Sequence, residues 1–459
     1  MRTVRGLWVT RSYMPEPEKT YHEDDAVCVD CIEDEALREL VRAEGHDQAC
    51  VECGKANTAV SIKDLAALID PYIRENYKPG PYEPQYGSVD DDSYVEEQQG
   101  EDLSYVLQDI VGQDFEFNDA LVAALIDNDP ADISDGDELF YAADINYVQT
   151  NVHVGHLLET WRAISSELRK ERRFFSDRAR EFFDWLFAGI EDLWFYKPKE
   201  GKDFAPSSEQ KKLGVIQEWP AGTVLYRTRR ADTREDYTRL VLKPTVELTP
   251  PPSKYAQVGR MNAEGVTIFY GALDAETCLA EMRSSIGGYT VLARFQTIKA
   301  LRVLDFSRLD KAYWDDKSLS YFQNDFNEQV AHRKFLRRIH KLISEPVIPG
   351  HEDEYLITQV LAEYLAYVRS PNFDGLLFAS TQYEGGTNVV LFPKHADAAL
   401  EDESDSTLTR FPLKYVDDSV EIYRTKGIKY DIPKVNFFLD DGKVHLYDRD
   451  RDEDDDDDG

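Results

Sequence analysis

Arg260, Tyr270 and Glu281 fall ten and eleven residues apart in the stretch VGRMNAEGVTIFYGALDAETCLAEMR, from Val258 to Arg283. A guanidinium grips an anion through paired N–H donors, and a phenol offers both a flat face and a hydroxyl. A carboxylate beside them steadies positive charge. Together the three residue types describe a site for an anionic ligand. Singly, each has an ordinary structural use. Arg260 suits a surface, Glu281 a helix face where it pairs with Arg283, and Tyr270 the core of a strand. The stretch gathers them only if three elements form: a Gly-Arg-x-Asn turn, a strand over the apolar run Val266, Ile268, Phe269 and Tyr270, and a segment of helical period ending with Glu281 and Arg283.

A second constellation is made of thiols. Cys28-x-x-Cys31 and Cys50-x-x-Cys53 are separated by eighteen residues, and EDEALRELVRAEG between them reads as a short amphipathic helix ending at Gly45. This is the spacing of a four-thiolate tetrahedral zinc site. With four protein thiolates the site would be closed and structural, without an open position for substrate. No strand-and-helix context of thioredoxin type surrounds either pair, and two such pairs suit a metal in a reducing compartment better than a disulfide framework. The fifth cysteine, Cys278, reads as a small core residue.

The elements that must position these groups differ along the chain. SIKDLAALIDPYIRENY reads as a helix running up to Lys78-Pro79-Gly80, and residues 81–103, rich in Asp, Glu, Gly and Tyr, as an exposed loop. LSYVLQDIV and NDALVAALIDN are of helical period. A long helical stretch is expected over Val152 to Ile190, with Leu157, Leu158, Trp161, Ile164 and Leu168 on one face and Phe174, Phe175, Phe182, Phe183, Trp185 and Phe187 packing a core. After a linker the pattern turns to strands: TVLYRTRR at 223–230, YTVLARFQ, ALRVLDFS, FDGLLFAS ending in Ser380, and NVVLF starting at Asn388. Residues 311–345 and Glu352 to Val368 are expected to be helical, and 411–448 to add short strands. The fold class is α+β, divided into a four-cysteine segment at 1–80, a helical region at 81–200, a linker at 201–218, a β-rich domain at 219–400, and C-terminal strands with an acidic tail at 401–459.

The 459 residues, 42% of them hydrophobic, can bury a large core, and the formal charge is −35. The last twelve residues carry nine carboxylates against two arginines. Such a balance repels phosphate backbones, so nucleic acid is not an expected partner, and the basic HRKFLRRIHKL reads as a solvated helix face. No run has the length of a membrane span, and the first residues lack the apolar core of a signal peptide. A cytoplasmic protein is expected.

The order LYR, GRxNxxG, a Tyr-bearing strand, a helix with AE-x-R, YLxTQ, FDGLLFAS and NVVLF resembles the RES domain over residues 219–400. That family is named for an arginine, a glutamate and a serine, and its members include toxins of toxin–antitoxin modules that destroy NAD. The N-terminal half, with its cysteine pairs, helical body and WRAISSELRKERRFF, is similar to the zinc-bearing domain, grouped with HEPN-like helical domains, that precedes some RES domains. The resemblance implies that Arg260, Glu281 and Ser380 are the naming residues and Tyr270 the active-site tyrosine, with Arg227 and Asn388 at further substrate-binding positions. It also implies a fold like that of ADP-ribosyltransferase toxins, a split β-sheet holding NAD in a central cleft. A HEPN ribonuclease would carry an Arg followed by His four to six residues later within a helix. The N-terminal half has no such pair, so no catalysis is assigned to it.

On that resemblance, Arg260 and Arg227 would clamp the NAD pyrophosphate. Breaking the nicotinamide–ribose bond builds positive charge on the sugar, which Glu281 would stabilise. Tyr270 would stack on nicotinamide, and Ser380 would bond ribose or carboxamide. The implied activity is that of an NAD glycohydrolase or phosphorylase acting as a toxin or defence effector, with structural Zn2+ and NAD as substrate. An antitoxin or regulatory protein and further copies of the chain are the expected partners. Transfer of ADP-ribose to a macromolecule, or nucleotide sensing without turnover, are the alternative readings.

Overall fold

The structure is a computed structural model of the chain. It describes residues 20–86, 94–130, 139–196, 212–309, 312, 319–344, 355–393, 407–428, 434, 436–440 and 443–447. The first nineteen residues, the linker from 201 to 211 and the acidic tail from 448 lie outside the described residues. Two compact units form: residues 1–151 with 319–326, and residues 152–318 with 327–459.

In the first unit β1 (Ala26–Cys28) leads to α1 (Glu35–Glu44), β2 (His46–Ala49), β3 (Ala56–Ser61) and α2 (Ile62–Asn76). The three strands make an antiparallel sheet in the order β1-β3-β2. Each helix starts where a short polar side chain replaces a missing backbone partner. The Asp34 carboxylate accepts from the Leu37 amide, and the Ser61 hydroxyl accepts from the Asp64 amide. Next come β4 (Tyr77–Pro79), β5 (Tyr82–Tyr86), β6 (Tyr94–Gln98), α3 (Leu103–Val111), α4 (Asn118–Asp127) and β7 (Tyr147–Gln149). The core of this unit gathers Leu37, Val41, Leu65, Ile69, Leu107 and Leu121. Residues 81–103 are not a plain loop, because β5 and β6 pair as an antiparallel ribbon. The strand-forming residues Tyr82, Tyr86, Tyr94 and Val95 favour that pairing.

Residues 319–326 complete this unit from far along the chain. Phe322 sets its ring edge-on to Tyr72 at 4.9 Å, and the Tyr321 hydroxyl donates to Asp109 at 2.9 Å. The Ser320 hydroxyl donates to Asp34 at 2.9 Å.

The second unit begins with α5 (Gly155–Lys170) and α6 (Asp177–Leu186), followed by β8 (Trp194–Tyr196) and β9 (Lys212–Gly214). The boundary between units thus falls inside the region 81–200 that the sequence suggests as one body. Trp161, Ile164, Phe183 and Phe187 belong to the same apolar cluster as Leu304, Phe335, Leu361 and Val390, which draws α5 and α6 into the second unit. The long helix expected over 152–190 is broken, because the Ser176 hydroxyl caps a new start by accepting from the Ala179 amide at 3.1 Å. Phe174 and Phe175 fall in that break and are 83% and 90% exposed, so they pack no core.

The sheet of this unit has nine strands. In chain order the elements are β10 (Ile216–Trp219), β11 (Val224–Ala231), α7 (Arg234–Leu242), α8 (Pro244–Glu247), β12 (Phe269–Ala272), α9 (Ala275–Glu281), β13 (Tyr289–Thr297), β14 (Leu301–Asp305), α10 (Phe306–Leu309), α11 (Phe326–Ser344), α12 (Leu356–Glu363), β15 (Gly375–Ala379), β16 (Thr387–Leu391), β17 (Leu413–Tyr415) and β18 (Glu421–Arg424). A separate ribbon, β19 (Asn436–Asp440) with β20 (Lys443–Tyr447), follows. The strand order is β10-β14-β15-β16-β12-β11-β13-β17, with β18 also on β13, and only β14 and β15 run parallel. Val303, Leu377 and Val389 enter one apolar cluster, whereas Leu304, Leu376 and Val390 enter the other. Burial on both faces explains the unbroken apolar runs of β15 and β16. The sheet nearly parts between β11 and β12, which share the single register pair Tyr226 and Ala272.

Candidate functional site

The parting of β11 from β12 opens a cavity of about 230 Å³, lined among others by Arg227, Arg260, Tyr270, Glu281 and Asn388. Five of the sequence-derived site residues therefore share one space, and the sixth, Ser380, reaches Glu281 directly. α9 starts at Asp274, whose carboxylate accepts from the Thr277 amide at 2.7 Å, and delivers Glu281 at its last residue.

One oxygen of Glu281 is doubly held. Its Oε1 accepts from the Ser380 hydroxyl at 2.5 Å and from the Asn388 side-chain amide at 2.7 Å. The Ser380 hydroxyl itself accepts from the amides of Gln382 and Tyr383, at 3.1 and 3.2 Å, which commits its own proton to Glu281. The strand beneath is fixed in turn, since the Ala379 amide donates to His340 Nε2 at 3.1 Å. The carboxylate is thereby oriented, with Oε1 occupied by protein donors.

Arg227 lies in β11 and is only 3% exposed. Its Nε donates to the Leu248 carbonyl at 3.1 Å, an Nη donates to the Tyr270 carbonyl, and the guanidinium stands 5.3 Å from the centre of the Phe269 ring. The bond to Tyr270 bridges strands that the backbone ladder has ceased to join. Among the described residues no carboxylate forms an ion pair with Arg227. Burial pushes its guanidinium well below the usual range, and the charge of Arg229 pushes the same way. A buried cation held only by carbonyls and a ring is suited to a ligand anion.

Arg229 also lines the cavity, and burial pulls its pKa down to about 10. Strand alternation puts residues i and i+2 on one face, so Arg229 could have been paired with Arg227 from the sequence. Arg260 stands on the Gly259–Asn262 turn, its guanidinium donating to the Ile343 carbonyl and lying 5.5 Å from the Tyr355 ring centre. Burial lowers its pKa, while Tyr355, Glu281 and Tyr270 pull it back up.

The Tyr270 hydroxyl accepts from the Met261 amide at 3.0 Å and donates to Asn262 Oδ1 at 2.8 Å. Burial raises its pKa to about 12 against the pull of that amide and of Arg260 and Arg227. The phenol is thus a neutral donor at physiological pH. Gly259 is required here, because a Cβ would come within 2.8 Å of the Tyr270 hydroxyl and 2.6 Å of Asn262 Oδ1. Asn262 belongs to the GRxN turn, but its grip on Tyr270 leaves no signal in the sequence.

In the first unit the sulfurs of Cys28, Cys31, Cys50 and Cys53 lie within 4.8 Å of one another. Three of the separations, Cys28 to Cys31, Cys28 to Cys53 and Cys31 to Cys50, are 3.7 Å. A tetrahedron with metal–sulfur bonds of about 2.3 Å has edges of about 3.8 Å, so the cluster fits a four-thiolate metal ion. Cys50 sits on a tight turn in which its carbonyl accepts from Gly54 and its amide donates to Lys55. Burial raises its thiol pKa, but the backbone amides of Cys53, Cys28 and Glu52 bring it down to about 7.

Residues 225–414 match the family model described as RES domain. No curated protein and no solved structure matches the chain. Among the described residues no helix is long and apolar enough to cross a membrane.

Proposed function

Residues 225–414 of this chain are a RES domain, and from that premise we propose that the protein consumes NAD by breaking its nicotinamide–ribose bond. The observation that carries the reading is the oriented Glu281 carboxylate in one cavity with Arg227, Arg229 and Arg260. Cations suited to a pyrophosphate thus lie beside a carboxylate suited to a sugar cation. The cavity volume of about 230 Å³ is below the roughly 300 Å³ at which pockets enclose whole ligands. It takes one end of a dinucleotide, the nicotinamide ribose with the phosphate oxygens next to it, and leaves the remainder outside.

Each residue then has a task. Arg227 and Arg260 hold phosphate oxygens. Oε2 of Glu281, to which no described residue donates, faces the ribose, holding a hydroxyl and countering the charge that grows as the glycosidic bond lengthens. The face of Tyr270 receives nicotinamide, which leaves neutral and needs no general acid. Ser380 and Asn388 act through Glu281. Water or inorganic phosphate completes the reaction, giving a glycohydrolase or a phosphorylase respectively. Such an activity suits a toxin or defence effector held in check by a partner protein. In the first unit the four thiolates would hold a structural zinc ion, which supplies no chemistry to the reaction because its coordination is closed.

The test is to incubate the protein with NAD and follow free nicotinamide. Wild type should release it, and Glu281→Ala should be slower by at least about a hundredfold. Equal release by the two proteins, or none by wild type, refutes the reading. Label from the ADP-ribose half appearing on a macromolecule would instead identify a transferase.

A further inference from the structure

We propose that Thr358 and Gln359, on the first turn of α12, are positioning residues that set Arg260 for its anion. The Thr358 hydroxyl lies 2.6 Å from the Arg260 carbonyl and shares its one proton between it and the Tyr355 carbonyl at 2.8 Å, and the Gln359 side-chain amide donates to the Gly259 carbonyl at 2.8 Å. Both side chains are buried. Nothing in the reaction calls for them, and they lie about a hundred residues from the turn they hold.

The turn is short of backbone partners of its own. Gly259 and Asn262 exchange amide-to-carbonyl bonds at 2.9 and 3.3 Å, the second of them long. The Met261 amide is taken by the Tyr270 hydroxyl. The Asn262 side-chain amide is shared among the carbonyls of Gln257, Ala263 and Val266. The Arg260 carbonyl would be left without a donor, and the Gly259 carbonyl with only the long bond. Thr358 and Gln359 satisfy these two carbonyls, one on each side of the Arg260 Cα. The residue just before α12, Tyr355, lies by the Arg260 guanidinium. A single helix start therefore fixes the arginine at its backbone and at its head, and the arginine meets its ligand already oriented.

The inference rests on the reading of Arg260 as an anion grip, and the experiment separates the two. ADP-ribose binding is measured by calorimetry, and NAD turnover by nicotinamide release, for wild type, Thr358→Val, Thr358→Ser and Gln359→Leu, each alone and in an Arg260→Lys background. Losing one such hydrogen bond should weaken ADP-ribose binding roughly fivefold and raise KM for NAD about as much, with kcat little changed. Thr358→Ser keeps the hydroxyl and should bind as wild type does. In the Arg260→Lys background the fivefold effects should vanish, since there is no longer a guanidinium to place. The proposal is overturned if the losses persist undiminished in that background, or if Thr358→Val and Gln359→Leu lower thermal stability while leaving affinity and KM unchanged. A wild type that binds ADP-ribose yet releases no nicotinamide refutes the enzymatic reading alone, and the binding cycle still decides the positioning role. A wild type that does not bind ADP-ribose overturns the positioning role as well.

Discussion

Replacing Asn388 by aspartate changes almost no volume but sets a second carboxylate where an amide now donates to Glu281 Oε1 at 2.7 Å. Two unit charges at that distance repel by about 6 kcal/mol at an effective dielectric of about 20. The protein escapes by keeping one proton on the pair, which raises the pair's upper pKa above the ordinary carboxylate range, against the pull of Arg227, Arg229 and Arg260 in the same cavity. The pair then titrates as one system with one proton shared between its members. A folded-state pKa raised above the unfolded one gives stability that is complete below about pH 4 and lost as pH rises through the raised value. The repulsion bounds the loss at about 6 kcal/mol, a fall in melting temperature of at most on the order of 10–20 °C in a unit of this size. Nicotinamide release by Asn388→Asp should decline over the same window, a transition that wild type, with an amide in that place, lacks. Thermal unfolding and release rates at half-unit pH steps from 5 to 9 provide the assay. If the variant's melting temperature and activity follow the wild-type curves throughout, Asn388 does not face Glu281 as described and the argument for an oriented carboxylate fails.

Chelation of the metal should speed amide exchange in β1, β3 and α1 of the first unit, and metal analysis of the untreated protein should find one zinc per chain, falling in Cys31→Ser. Retention of full exchange protection after the metal is stripped would show that the thiols hold the unit together without it. Tyr270→Phe should cost roughly 1–3 kcal/mol in a denaturant titration at pH 8, because the Met261 amide and Asn262 Oδ1 both lose their partner. In wild type the raised Tyr270 pKa gives stability that is full below about pH 10 and lost as pH climbs through about 12. That alkaline loss should be smaller in Tyr270→Phe, and identical alkaline unfolding of the two proteins would contradict the burial of the phenol.

What the sequence made legible follows from how local each signal is. The two cysteine pairs are read from spacing, because a knuckle is closed by its own few residues, as the Gly54-to-Cys50 bond shows. β15 and β16 are legible because strands buried on both faces become apolar runs, and β11 and β13 because Val, Leu, Tyr, Thr and Phe between their polar residues favour extended backbone. The order of Arg260, Tyr270, Glu281, Ser380 and Asn388 is visible as a resemblance, but not that Ser380 and Asn388 meet on one oxygen of Glu281. That depends on the register of β15 against β16, with Phe378 opposite Asn388, which no single segment specifies. The roles of Thr358 and Gln359 are backbone repairs to a distant turn and leave no mark in periodicity. Phe174 and Phe175 mislead for the opposite reason. Their apolar character argues for burial, and a single serine after them starts a new helix and leaves them outside.

The eight residues from 319 to 326 lie inside the stretch that matches the RES family, yet they belong to the other unit. A gene fragment trimmed to 225–414 would carry Phe322 away from the Tyr72 ring and Tyr321 away from Asp109. It would also discard Trp161, Phe183 and Phe187, which share an apolar cluster with Phe335 and Leu361. The unit of recombination in this protein is therefore larger than the family signature. Grafting the signature onto another carrier would leave sticky aromatic surface on the donor and on the graft alike, so the halves are best exchanged, truncated or expressed only together.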